Sequence, residues 1–155
     1  MPEGRILERC IQRGWKMAVA ESCTGGLIGA RLTSVPGSSS YFLGGVIAYS
    51  NNLKKDLLKV PAVLLDSEGA VSGPVAEAMV RGVIAATGAH CGISVTGVAG
   101  PDGGTLEKPV GTVWVGIALP SETMSRQYNF TGNRDEVREQ AVNAALELFL
   151  EKAGS

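Results

Sequence analysis

A chain of 155 residues, 45% hydrophobic and 19% charged, is sized for a single domain spanning 1-155 with one core, and its scattered charges, net −1, argue against a nucleic-acid partner. Three cysteines without a CxxC pair and a lone histidine, His90, offer neither a disulfide framework nor a zinc site, so no metal and no cofactor are expected. No run approaches the roughly 18 apolar residues of a membrane span, and the first fifteen residues carry no secretory pattern, so the expectation is a soluble cytoplasmic protein with no membrane partner.

Residues 4 to 13 place Ile6, Leu7, Cys10 and Ile11 at helical spacing, and Gly14 ends the helix. Met17 to Ala20 read as a buried strand that meets Glu21, Ser22, Cys23, Thr24, Gly25 and Gly26, the start of a helix running through Leu27 to Leu32. Pro36 to Ser40 make a turn, and Gly45 to Tyr49 read as a second buried strand. Ser50 and Asn51 cap a helix carrying Leu53, Leu57 and Leu58, which Pro61 stops. Pro74 to Thr87 form a helix with a wide apolar stripe suited to packing flat on a sheet.

Ile93 and Val95 mark a third strand, followed by a Gly/Pro-rich loop from Gly97 to Gly111. Thr112 to Leu119 is a continuous apolar strand, joined through Pro120 to Thr123 to a half-exposed strand with Met124, Tyr128 and Phe130 on one face. A last helix runs from about Arg134 to Lys152, with Val137, Ala141, Ala144 and Leu148 inward. Five strands among five helices predict an α/β three-layer sandwich with a mixed five-stranded sheet.

Four clusters have residue types that do chemistry. The strand-to-helix junction at Glu21 to Gly26 offers backbone N–H groups and a helix dipole to an anion, or else simply an N-cap and close packing. Gly37, Ser38, Ser39 and Ser40 with Tyr49, Ser50, Asn51 and Lys54 supply a serine and a lysine that could act as its base; the bland alternative is a polar turn and a solvated amine. Thr96 to Gly104 close a strand with a hydroxyl and ligand-accommodating glycines, or a mobile turn. Arg134 opens the last helix, placed to pair with a phosphate or with Asp135 or Glu136. Cys23, with Glu21 and Lys54, has the residue types of a nitrilase-like triad, against the ordinary reading of a small buried hydrophobe.

Taken in order, AESCTGG, PGSSSYF with AYSNNLK, SVTGVAGPDGG with KPVGTVW, and FTGNRDEVR resemble the CinA C-terminal domain family over nearly the whole chain. The resemblance implies hydrolysis of the carboxamide of nicotinamide mononucleotide to nicotinate mononucleotide and ammonia, or in an inactive member a nucleotide-binding module. It assigns the nucleophile to Ser39, its partner to Lys54 aided by Tyr49, and substrate contacts to Ser22, Thr24, Thr96 and Arg134, with Gly25, Gly26, Gly97 and Gly100 beside them. It also implies a homo-oligomer, most simply a dimer. One departure is Gly73 in VSGP, where the family pattern often carries glutamate; the expectation there is an altered rim of the site.

Overall fold

A computed structural model describes residues 1–154, which form six α-helices around one five-stranded sheet. Helix α1 (Pro2–Arg13) ends where Gly14 turns left-handed at φ 67°, and β1 (Met17–Glu21) follows with every residue buried. Helix α2 (Leu27–Thr33) leads through a single 3-10 turn at Ser38–Ser40 into β2 (Phe42–Ile47). Helices α3 (Asn51–Leu58), α4 (Ala62–Glu68) and α5 (Gly73–Thr87) then carry the chain to β3 (Cys91–Gly97). The hairpin of β4 (Thr112–Leu119) and β5 (Glu122–Asn129) precedes α6 (Arg134–Ala153).

The strand order is β2-β1-β3-β4-β5, with β1 parallel to both neighbours and the β4 and β5 pairings antiparallel, so the mixed sheet and the sandwich are as expected. Residues alternate between faces, and each face has its own core. Met17 and Val19 of β1, Ile93 and Val95 of β3 and Val113, Val115 and Ile117 of β4 pack under α1, α2 and α6. Ala18 and Ala20 face α5, whose Val75, Met79 and Val83 cover them. Small residues let α5 sit close: a Cβ at Gly116 would run into the Ala76 carbonyl, 2.7 Å away, and Ser94 Oγ donates to that same oxygen at 2.6 Å.

Two expectations need correction. The second strand begins at Phe42 instead of Gly45 and ends at Ile47; as the sheet's outer strand it is half exposed, with Leu43 and Ile47 about half open to solvent. The described residues carry six helices where five were expected. Pro61 does not merely stop α3, which already ends where Lys59 turns left-handed at φ 58°; with its fixed φ it stands at the N-cap of α4.

Candidate functional site

The order 2-1-3 makes the crevice between β1 and β3 a topological switch point, because the chain leaves β1 toward β2 over one face and returns to β3 over the other. Side chains at the carboxyl ends of these strands therefore flank an uncovered gap. Ser22 follows β1, Thr96 and Gly97 end β3, and Tyr49 follows β2. With Cys23, Asn51, Lys54, Ala70, Val71 and Ala99 they line a cavity of about 190 Å³.

Lys54 reaches this cavity from α3. Ser50 caps that helix by accepting from the Leu53 N–H at 3.1 Å, which fixes the first turn and turns Lys54 inward, where it is 2% exposed. Its Nζ stands 3.0 Å from Ser22 Oγ and donates to the Tyr49 carbonyl at 3.0 Å. Among the described residues it forms no ion pair. Burial pulls its pKa below the ordinary lysine value. A buried amine without a carboxylate, touching a buried hydroxyl, is the arrangement in which an amine can act as base toward a serine.

The structure does not bring Ser39 to Lys54. Ser39 is exposed in the 3-10 turn before β2, at the end of the sheet where β1 begins, while Ser22 and Lys54 stand where β1 ends. The register Met17↔Phe42 and Glu21↔Ile47 leaves a whole strand between them, roughly 15 Å at about 3.3 Å per residue. The Ser39 and Lys54 pair rests on residue types and on the family resemblance, neither of which reports strand register. The turn itself is tied down locally: Ser40 Oγ donates to the Gly37 carbonyl at 2.7 Å, and Lys16 Nζ donates to the Ser40 carbonyl at 2.6 Å.

The start of α2 is likewise not open to a phosphate. The Glu21 carboxylate, 2% exposed, already occupies it, with Oε1 accepting from Thr24 Oγ1 at 2.6 Å, Gly26 N–H at 3.1 Å and Ile28 N–H at 3.0 Å, and Oε2 from Gly29 N–H at 3.0 Å. The protein supplies its own anion to the helix dipole, so Thr24, Gly25 and Gly26 serve the fold at this point.

Tyr49 meets Lys54 through its main chain. Its 60% exposed side chain instead accepts from Arg134 Nη2 at 3.0 Å, and Arg134 Nη1 donates to the Gly100 carbonyl at 2.6 Å. Arg134 thus stands as an exposed cation at the cavity rim, with no acidic partner among the described residues. Thr96 Oγ1 donates to the Ala70 carbonyl at 2.9 Å, holding the loop before α5 against β3. Gly97 lines the cavity, whereas Gly100 contributes only its carbonyl. Gly73 is not among the lining residues; a Cβ there would stand 3.0 Å from Trp114 and from Ser125 Oγ, so its environment is packing under α5. Burial raises the Cys23 pKa to about 12, which disfavours the thiolate that the triad reading needs.

Sequence reasoning named Asn51 within the serine and lysine cluster but missed Ala70 and Val71, and above all Arg138. One turn after Arg134 on α6, Arg138 donates through Nε to the Cys23 carbonyl at 3.1 Å and through Nη2 to the Thr24 carbonyl at 3.3 Å. The spacing of four from Arg134 was the available signal. Among the described residues no cluster of three His, Cys, Asp or Glu side chains is assembled, and no helix is long and apolar enough to cross a membrane.

The profile of the CinA C-terminal domain family matches residues 2–153, and the chain belongs to that family. It is 51% identical over 139 residues to a CinA-like protein of Desulfotalea psychrophila, covering 90% of this chain and 34% of that protein. A CinA-like protein of Gemmatimonas aurantiaca is 51% identical over 142 residues, covering 92% and 33%. The chain spans about a third of the length of these relatives. Among solved structures, competence damage-inducible protein A of Klebsiella pneumoniae superposes with a TM-score of 0.95 at 34% identity, covering 99% of this chain and 95% of that one. The competence/damage inducible protein of Agrobacterium tumefaciens superposes at 0.94 with 35% identity, covering 99% and 94%.

Proposed function

We propose that this member of the CinA C-terminal domain family is an amidohydrolase that deamidates nicotinamide mononucleotide, with Ser22 as nucleophile and Lys54 as its base. The observation that carries the reading is the 3.0 Å contact between Ser22 Oγ and a buried, carboxylate-free Lys54 Nζ at the β1/β3 switch point. The substrate comes from the family resemblance, supported by the cation of Arg134 at the rim of a cavity that the nicotinamide end would enter.

In the neutral state Lys54 keeps one N–H on the Tyr49 carbonyl, which leaves its lone pair directed toward the Ser22 hydroxyl. That lone pair takes the hydroxyl proton as Oγ bonds to the carboxamide carbon and the C=O π pair moves onto oxygen. When the tetrahedral adduct collapses, the C–N bond breaks and the proton on Lys54 passes to the departing nitrogen, releasing ammonia and leaving an ester on Ser22. Water then attacks that ester, with Lys54 again accepting a proton and returning it to Ser22 Oγ as nicotinate mononucleotide leaves. Arg134 would hold the phosphate with a charge-assisted pair, exchanging its present bond to Tyr49 for one to the ligand.

The test is ammonia release from nicotinamide mononucleotide by chelator-treated protein, native and Ser22→Ala. Native turnover that Ser22→Ala abolishes supports the proposal. Tight nucleotide binding without turnover would instead make the chain a binding module.

A further inference from the structure

An oxyanion needs donors that the fold has left unspent, and the turn after Ser22 has two of them. Among the described residues, the backbone N–H groups of Cys23 and Thr24 donate to no other residue, although these residues are 5% and 0% exposed. Buried N–H groups without a partner are rare. The neighbouring donors are all engaged: Ser22 N–H on the Val95 carbonyl, Gly25 N–H on the Ser22 carbonyl, and Gly26 N–H on Glu21.

Peptide planarity says where the two free groups point. In a trans unit the C=O and the N–H are opposed, so a carbonyl anchored on one side sends its N–H to the other. The Cys23 carbonyl, in one unit with the Thr24 N–H, is held by Arg138 Nε at 3.1 Å. The Ser22 carbonyl, in one unit with the Cys23 N–H, is held by Gly25 N–H at 3.1 Å. Arg138 Nη2 adds a bond to the Thr24 carbonyl at 3.3 Å, so one guanidinium grips two successive peptides of the turn. Gly25 makes room for it: at φ 59°, a Cβ there would lie 3.3 Å from Arg138 Nη2.

We propose that the Cys23 and Thr24 amides receive the oxyanion formed on Ser22, and that Arg138 is the positioning residue that aims the Thr24 amide. This rests on the reading of Ser22 as the nucleophile. Arg138 has no carboxylate partner among the described residues, so its charge falls on these carbonyls, and at the Cys23 carbonyl it polarises that peptide and strengthens the Thr24 N–H as a donor. Arg134, one turn earlier, faces Tyr49 and Gly100, so the two arginines divide the work: one for the substrate's anion, one for the transition state.

The experiment compares native protein, Ser22→Ala, Arg138→Ala and Arg138→Lys by three measurements: kcat and KM on nicotinamide mononucleotide and its riboside, the rate of Ser22 labelling by a fluorophosphonate read by mass, and the melting temperature. Expected for Arg138→Ala is a kcat loss on the order of 10²-fold to 10³-fold, equal on both substrates, with KM within about threefold. Labelling should slow by a similar factor, because the phosphonyl oxygen uses the same amides, and Arg138→Lys should recover part of both rates. A KM rise confined to the phosphate-bearing substrate would make Arg138 a phosphate ligand and overturn the proposal. Native-like labelling of Arg138→Ala, or losses in both variants that merely track the unfolded fraction, would overturn it too. If native protein is neither labelled at Ser22 nor impaired by Ser22→Ala, the nucleophile reading itself falls and takes this one with it; native labelling with an indifferent Arg138 removes this one alone.

Discussion

Serines stand at both ends of the β1 and β2 pair, and the two ends have opposite environments. At the amino end, Ser38–Ser40 form an exposed 3-10 turn stitched by local bonds, with Lys16 at its edge as a solvated cation. At the carboxyl end, Ser22 is 6% exposed and meets Lys54 at 2%. A hydroxyl and an amine occur at both places, but only at the second does burial lower the amine's proton affinity, and only there does the strand order open a crevice. The proposed reactivity therefore follows from where the sheet ends, not from the density of serines in the motif.

The sharpest way to break the contrast is to remove each serine in turn. Ser22→Ala should lower kcat by at least roughly 10³-fold, while Ser39→Ala stays within about twofold. Steady-state ammonia release measures both, and the reverse result would return the nucleophile to the exposed turn.

Lys54 comes next, through pH. Because its folded pKa lies below the unfolded value, kcat/KM should rise with pH through the folded pKa. Stability carries the same sign: between the folded pKa and about 10.4 the unfolded chain binds more protons, so native stability gains with pH in that window and is level below it. Lys54→Met should abolish both limbs, and Lys54→Arg, which stays protonated, should lose about as much activity as Lys54→Met. Rate profiles and urea melts against pH check this; an active arginine variant would show that charge alone is needed.

Glu21 sharpens the comparison from the structural side, because it sits beside Ser22 yet spends its charge on α2. Glu21→Ala strands three backbone N–H groups and the Thr24 hydroxyl, and should lower unfolding free energy by about 2 to 4 kcal/mol in urea titration. Arg134→Ala should cost about 1.5 to 3 kcal/mol in kcat/KM for the nucleotide, chiefly through KM, and little for the riboside; equal losses would make Arg134 structural. Smallest is Cys23→Ala, with activity within about threefold, since burial holds the thiol protonated. Loss of activity in a folded Cys23→Ala protein would favour the thiol instead.

The sequence by itself determined most of the architecture. Short continuous apolar runs at Met17 to Ala20 and along β4, period-two alternation along β5, helical spacing in α1, α5 and α6, and glycine or serine at helix ends are local signals, and these elements formed where those signals lay. The resemblance to the CinA C-terminal domain family also singled out Ser22, Lys54, Thr96 and Arg134, whose residue types alone left caps, turns and surface ion pairs as open alternatives. What it left open was pairing. Which serine meets Lys54 depends on strand order and register, which bring positions 32 residues apart to 3.0 Å while placing the nearer Ser39 at the far end of the sheet. Whether the α2 start is empty depends on a buried Glu21 side chain, and Arg138 is marked only by the carbonyls it holds across 115 residues of chain. Burial, partner and direction arise only when distant segments pack, so the chemistry of each named residue was decided by the tertiary structure.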